Sequence, residues 1–163
     1  MSDEHHYRLT TTWTGNRGTG TSGYRDYERS VSVEVSGKPV VIGSADKPFR
    51  GDPQRWNPED LLVAALSQCH LLSYLHACVV HDVVITHYRD EASGTLVQRG
   101  NGGAFRDVLL RPQVVVADAS MIEAATGAHH DAHEWCFIAN SVNFPVRVEP
   151  TIRARANPAA TKG

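Results

Sequence analysis

The sequence predicts an α+β fold in which antiparallel β-sheets accompany a few helices. Valines alternate with polar residues in 30–35 and again in 143–153, which is typical of half-buried strands. Between these segments, residues 61–80 are almost wholly apolar, as in a buried helix. At 163 residues the chain fits a single domain, 1–163, and we expect disorder in the tail from about residue 155.

Three strands are predicted ahead of the apolar helix. Arg8–Trp13 is rich in threonine, and Ser30–Val35 carries the valine alternation. Pro39–Ile42 follows a Ser36-Gly37-Lys38 turn, so we expect it to return as a hairpin partner. The glycine-rich loop 15–23 lacks the Gly-Lys-Ser/Thr ending of a P-loop, which argues against a nucleotide-phosphate site.

The long helix has a well-marked start. Asn57 is a suitable N-cap, Pro58 fits the first helical position, and Glu59 and Asp60 favour the positive end of the helix dipole. No Asp, Glu, Lys or Arg occurs from 61 to 80. A helix that is apolar on all sides is predicted to lie at the centre of a domain or of a dimer.

The remaining elements alternate in type. We expect a strand at Val83–Tyr88 to pair with Gly94–Gln98 across the turn 90–93. One or two further strands are predicted in Phe105–Val116, interrupted at Pro112. Helices are predicted from Ala119 to about Ala128 and over His129–Ala139, the second carrying Cys136, and a final strand over Asn143–Arg153.

The overall composition excludes several classes of protein. The formal net charge is −2 without a basic block, so nucleic acid is not an expected partner. No stretch approaches eighteen consecutive apolar residues, so we expect no membrane span. The polar N-terminus lacks the apolar region of a secretory signal, which favours a cytoplasmic protein. Three cysteines then indicate free thiols or a transient disulfide.

The positions of the cysteines restrict how they can pair. Cys69 and Cys78 lie nine residues apart on one predicted helix, about 13 Å along its axis and on opposite faces. A disulfide needs Cα atoms within about 7 Å, so Cys136 is the only feasible intramolecular partner for Cys69. We expect Cys78 to fill the core. Cys69 and Cys136 could likewise be inert core residues.

The surroundings of Cys69 favour reactivity. Its helix follows the segment Phe49-Arg50-Gly51-Asp52-Pro53-Gln54-Arg55, which carries two arginines. An arginine close to a thiolate lowers the pKa of the thiol and yields a nucleophile.

Two segments resemble the OsmC/Ohr family of osmotically inducible and organic hydroperoxide resistance proteins. They are Asn57-Pro58-Glu59-Asp60-Leu61-Leu62 with Ala64-Ala65-Leu66-Ser67-Gln68-Cys69-His70, and Ala132-His133-Glu134-Trp135-Cys136 downstream. The resemblance extends from about residue 12 to residue 148. The stretches 23–29 and 49–52 are similar to an OsmC-like branch rather than to Ohr itself.

The resemblance implies an OsmC-like intertwined homodimer, with antiparallel sheets wrapped around central helices. It implies a thiol peroxidase for organic hydroperoxides, with Cys69 as the peroxidatic and Cys136 as the resolving thiol. Glu59 would orient an arginine that lowers the thiol pKa of Cys69; Arg50 is favoured, with Arg17 and Arg55 as alternatives. No bound cofactor or metal is implied, and an external dithiol, such as a lipoyl group, would be the reductant.

One departure and two rival hypotheses accompany this interpretation. The family's second cysteine is commonly followed by proline, whereas Phe137 follows Cys136. His129 and His133 share a helix face and, with Cys136, could form a zinc site. The other rival is a non-catalytic dimer that binds a small apolar ligand. His70 points about 100° away from Cys69 on a helix, so we do not expect it to act as a base.

Overall fold

The N-terminal strands form one three-stranded antiparallel sheet. The computed structural model describes residues 3–156, and in it β1 (Thr10–Trp13), β2 (Val31–Glu34) and β3 (Val41–Gly43) pair in the order β1–β2–β3. β2 and β3 are antiparallel neighbours, which confirms the hairpin. Gly37 has φ 77° in the connecting turn, a conformation that a residue without a Cβ adopts at little cost.

The long helix forms as predicted. α1 spans Pro58–Val80, and the Asn57 Oδ1 accepts a hydrogen bond from the Asp60 N–H at 2.7 Å, which confirms the N-cap. By length and composition alone α1 could cross a membrane, a test that core helices of other proteins also pass. Only 28% of its most apolar window, of mean hydropathy 1.4, is buried within the chain. A single chain therefore leaves much of α1 uncovered.

Between α1 and Ala156, six strands form two three-stranded sheets. The strands are β4 (Ile85–Asp90), β5 (Ser93–Arg99), β6 (Gly102–Leu110), β7 (Pro112–Val116), β8 (Val146–Val148) and β9 (Thr151–Ala154). One sheet has the order β4–β7–β9 and the other β5–β6–β8. The predicted pairing of β4 with β5 is therefore wrong. The Asp90 carboxylate instead accepts hydrogen bonds from the Arg111 N–H and the Ser67 hydroxyl where the chain passes between the sheets.

The α+β class is confirmed, but the sheets are not wholly antiparallel, which corrects that part of the prediction. β8 pairs in parallel with β6, and β9 in parallel with β7. The predicted strand 143–153 breaks at Glu149 and Pro150, beside the break at Arg111 between β6 and β7. The Glu149 N–H donates to the Leu110 carbonyl at 2.9 Å, so both stretches step between the sheets side by side and in one direction.

A single helix replaces the two that the sequence predicts after β7. α2 spans Ile122–Trp135 without a break at Gly127, and a 3₁₀ turn over Ala119–Met121 precedes it. Cys136 is the C-cap, with φ −73° and ψ 103°, and not a residue within a helix. The end of α2 therefore fixes the position of the Cys136 side chain.

The chain divides into two compact units, residues 1–62 and 63–163. The first contains β1–β3 and the start of α1; the second contains the other elements and two apolar cores. One core surrounds Tyr74 and includes Cys78, as predicted, and the other surrounds Leu66, Val108 and Leu110. The single-domain assignment stays a prediction, and beyond Ala156 the predicted disordered tail lies outside the described residues.

Candidate functional site

The structure brings the two predicted redox cysteines together in the second unit. Cys69 is half-buried on α1, whereas Cys136 is fully buried at the end of α2. Both are free, and Cys69 lies close enough to Cys136 to contribute to the raised pKa of the Cys136 thiol. The arrangement thus pairs one accessible thiol with one enclosed thiol, within reach of each other.

Burial, together with the neighbouring Cys69, raises the pKa of the Cys136 thiol to about 11. The Ala139 N–H donates to Cys136 Sγ at 3.4 Å and partly opposes this effect. At neutral pH, Cys136 is therefore a protonated thiol. It would act by attacking a neighbour that is already activated, because only the thiolate is a strong nucleophile.

The turn after α2 holds Cys136 in place without the expected proline. The Asn140 N–H donates to the Cys136 carbonyl at 3.0 Å, and the Asn140 side-chain amide donates to the Glu134 carbonyl at 2.7 Å. Phe137, which replaces the proline, is 78% exposed. Asn140 thus fixes the turn, while the Phe137 side chain is largely exposed to solvent.

Two buried histidines form a pair in the same unit. His70 Nε2 and His129 Nδ1 lie 3.0 Å apart, and the Tyr74 ring stacks on His129 at 3.8 Å. Burial lowers the pKa of His70 to about 4, helped by His133, and that of His129 to about 3, helped by His70. Both are neutral near pH 7. The His70 side chain is engaged with His129 and does not serve Cys69 as a base.

The histidines do not form the rival zinc site. Within residues 3–156, no group of three or more His, Cys, Asp or Glu side chains is placed to hold a metal ion. His129 Nδ1 already faces His70. Three histidine ring nitrogens are buried without a hydrogen-bond partner among the described residues: His70 Nδ1, His129 Nε2 and His133 Nδ1.

The first unit contains an open cavity of about 360 Å³ that includes Glu59. Its walls are mainly apolar and aromatic, with Trp13, Tyr27 and Phe49 among them. The Glu59 Oε2 atom is buried and has no hydrogen-bond partner among the described residues. A buried acceptor without a partner costs about 1–3 kcal/mol, so this carboxylate is set to receive a donor.

Arg29, which sequence reasoning missed, is the arginine that lines this cavity with Glu59. Its Nη1 donates to the Tyr27 carbonyl and its Nη2 to the Tyr24 carbonyl, both at 2.8 Å. Its guanidinium also lies over both tyrosine rings, 4.1 Å from Tyr27 and 4.5 Å from Tyr24. The spacing Tyr24-x-x-Tyr27-x-Arg29 was the available signal.

The three arginines proposed from the sequence are placed differently. Arg50 is exposed, and its backbone lies in the left-handed region with φ 62°. Its guanidinium lies 5.8 Å from the centre of the Tyr24 ring. Arg55 pairs with Asp52 at 3.1 Å, and Arg17 is exposed. Arg50 and Arg55 line a second cavity of about 250 Å³ in the same unit, together with Arg29.

Comparison with known families and structures gives a consistent result. Residues 51–151 match the family model of OsmC-like proteins. An OsmC-like protein of unknown function from Vibrio cholerae is 31% identical, covering 91% of this chain and 100% of that one, with a TM-score of 0.80. No curated protein matches the sequence.

Two hydroperoxide resistance proteins share the fold at lower identity. One, from Legionella pneumophila, is 17% identical over 91% of this chain and 98% of its own, with a TM-score of 0.62. The other, from Elizabethkingia anophelis, is 20% identical over 94% and 100%, with a TM-score of 0.63. Both likenesses support the predicted α+β fold.

Proposed function

Since the chain belongs to the OsmC-like protein family, we propose that it is a thiol-dependent peroxidase that reduces organic hydroperoxides. The observation that carries the proposal is that half-buried Cys69 lies near enclosed Cys136, close enough to raise the pKa of the Cys136 thiol. An accessible thiol beside a shielded one suits a cycle in which the accessible thiol reacts with the peroxide and the shielded thiol then reacts with the oxidised cysteine.

The cycle has two steps that oxidise the thiols and a third that reduces the disulfide. The Cys69 thiolate attacks the terminal peroxide oxygen and the O–O bond breaks, so that Cys69 becomes a sulfenic acid. The departing alkoxide takes a proton from solvent and leaves as the alcohol. The Cys136 sulfur then attacks the Cys69 sulfur, which forms the disulfide and releases the hydroxyl as water. An external dithiol, with lipoyl groups as candidates, reduces the disulfide, so no bound cofactor is required.

The burial of Cys136 explains why Cys69, and not Cys136, reacts with the peroxide first. A thiol with a pKa of about 11 is almost wholly protonated near pH 7, so it competes poorly for peroxide. Its attack on a sulfenic acid held beside it is intramolecular, so the high effective concentration compensates for its small thiolate fraction. The family role of Glu59 and an arginine in lowering the thiol pKa of Cys69 stays a prediction.

We also propose that the active form is a cytoplasmic homodimer. Leu72 and Val79 on α1 are 59% and 74% exposed, alongside other uncovered apolar side chains of the same helix. Such surface favours a partner. Light scattering should give twice the chain mass of 17.9 kDa without detergent. A monomer that needs detergent to stay in solution would contradict the proposal.

The test of activity is a thiol count. One equivalent of cumene hydroperoxide should remove two thiols per chain and leave Cys78, and a dithiol should restore both. Cys69→Ser should abolish turnover, whereas Cys78→Ser, in the core, serves as the matched control. Turnover by Cys69→Ser would contradict the assignment.

A second candidate is a non-catalytic module for a small apolar ligand. The apolar cavity beside Glu59 favours it. This alternative predicts ligand binding with all three thiols unchanged by peroxide.

A further inference from the structure

Two buried side chains of α1 form hydrogen bonds to α2 in the second unit. The Tyr74 hydroxyl donates to the Ala125 carbonyl at 3.0 Å, and His70 Nε2 lies 3.0 Å from His129 Nδ1. Tyr74, His70 and His129 are all buried. Because His70 and Tyr74 are one turn apart on α1, as are Ala125 and His129 on α2, directional bonds join the two helices at two successive turns.

The histidine bond is the only side-chain hydrogen bond that either ring makes among the described residues. The other ring nitrogens, His70 Nδ1 and His129 Nε2, are buried without a partner there. Burial lowers the pKa of both rings far below neutrality, so at pH 7 one ring donates and the other accepts. Since breaking the bond would leave two unpaired rings in the core, the bond opposes any shift of α1 against α2.

The apolar packing around Tyr74 fixes the position of the helices less strictly. The buried apolar residues that α2 contributes to this core are all alanines: Ala125, Ala128 and Ala132. Apolar burial is non-directional, and small methyl groups do not interlock. Hydrogen bonds, in contrast, weaken steeply with distance and angle. We therefore expect the two polar contacts to determine how α1 lies against α2.

Both redox thiols are attached to these helices close to the histidine bond. Cys69 precedes His70 on α1, and Cys136 caps α2 about two turns beyond His129. A disulfide needs Cβ atoms about 3.5–4.5 Å apart. A misplacement of about 1 Å can slow a reaction between two held groups about a hundredfold. A shift of α1 against α2 would therefore change the approach of one thiol to the other.

We propose that His70 and His129 are positioning residues for the disulfide-forming step, holding Cys69 where Cys136 can attack it. The inference rests on the proposed function, which supplies the sulfenic acid at Cys69. In this step the Cys136 sulfur bonds to the Cys69 sulfur and the S–O bond breaks, so that the hydroxyl leaves as water with the proton of the Cys136 thiol. The contribution of the histidines is geometric. It concerns this step and not the attack on peroxide, which needs no approach of Cys136.

Single turnover with cumene hydroperoxide, followed by quenched-flow mass spectrometry, separates the two steps. The sulfenic acid adds one oxygen to the chain, whereas the disulfide removes two hydrogens. His70→Leu and His129→Leu should each leave the first step within about threefold and slow the second about tenfold or more, so that the sulfenic acid accumulates. His130→Leu, on the exposed side of α2, is the matched control and should change neither step more than about twofold.

Conservative variants distinguish positioning from a general loss of packing. The side-chain amide of glutamine can replace His70 Nε2, and that of asparagine can replace His129 Nδ1, each as donor or acceptor. His70→Gln and His129→Asn should therefore recover much of the second step. Equal slowing of both steps in the leucine variants, without recovery in the amide variants, would overturn the inference. If a single leucine variant does not fold, the double variant His70→Leu/His129→Leu, which leaves no unpaired ring, replaces it.

A measurement without peroxide separates this inference from the proposed function. In a glutathione redox buffer the Cys69–Cys136 disulfide forms by thiol exchange, and its equilibrium reports the effective concentration of one thiol beside the other. The double variant should lower that concentration about tenfold or more, which raises the reduction potential by about 30 mV or more. An unchanged potential overturns the inference even if peroxide is turned over. A tenfold change in a chain that never consumes peroxide overturns the peroxidase and leaves the positioning role in place.

Discussion

The thiol pair of the second unit and the Arg29–Glu59 cavity of the first unit differ in how they are encoded. Cysteine is rare here, with three in the chain, so few pairings exist and helix geometry removes one. Arginine is common, and which one is ordered depends on distant backbone carbonyls and rings. The role of a rare residue can be predicted from its position in the sequence, whereas the role of a common residue becomes clear only from its contacts in the structure.

Among variants that keep Cys69, the largest effect is expected at the enclosed thiol. Cys136→Ser should consume about one equivalent of peroxide and then stop, because Cys69 sulfenic acid has no partner. Steady-state turnover with a dithiol should fall at least a hundredfold, measured by peroxide consumption, while Cys78→Ser remains active. Unchanged turnover would show that the reductant attacks the sulfenic acid directly and that Cys136 is not the resolving thiol.

The two thiols should also differ in alkylation. With a pKa of about 11, roughly one Cys136 side chain in a thousand is thiolate at pH 8, and the residue is fully buried. Iodoacetamide should label Cys69 at least a hundredfold faster, as read by mass spectrometry of peptides. Equal rates would mean that Cys136 is open to solvent and would remove the asymmetry on which the cycle rests.

The histidine pair should make the second unit sensitive to acid. His70 and His129 have folded pKa values of about 4 and 3, below the unfolded value of 6.5. Between pH 6.5 and 4 the unfolded chain binds more protons, so stability falls as pH falls. The loss should be roughly 3 kcal/mol or more from pH 7 to pH 4, measured by urea unfolding.

A control separates this effect from general acid sensitivity. The double variant His70→Leu/His129→Leu should show a flatter dependence of unfolding free energy on pH, whereas His130→Gln, on the exposed side of α2, should keep the original slope. An unchanged slope in the double variant would show that other groups dominate acid unfolding.

The smallest effect concerns the start of α1. Asn57→Ala removes the N-cap bond to the Asp60 N–H and should cost about 1 kcal/mol, or a few degrees in Tm. Asn143→Ala, at an exposed loop position, is the control. The alkylation rate of Cys69 should not change; a change above twofold would show that the helix start influences the thiol.

Local signals account for what the sequence predicted well. Asn57, Pro58 and the acidic residues after them define the start of α1 within four positions, and the β2–β3 hairpin needs only a turn around Gly37. Sheet membership is not local. Asp90 directs β4 away from β5 through bonds to Ser67 and Arg111, which no nearby pattern shows.

The parallel pairing of β8 and β9 and the continuity of α2 have similar causes. Pro150 marks a break, but only the partner strands decide that the chain changes sheets there. Gly127 lowers helix propensity by about 1 kcal/mol, which the packing of Ala125 and Ala128 in the core outweighs. Such tertiary effects lie beyond sequence reasoning.

The central claim is that Cys69 and Cys136 form a redox pair, and peptide mapping after treatment with cumene hydroperoxide tests it most directly. We expect a loss of two mass units per chain, located in a Cys69–Cys136 crosslink, with Cys78 free. Both thiols unmodified after excess peroxide, in a folded protein, would contradict the claim.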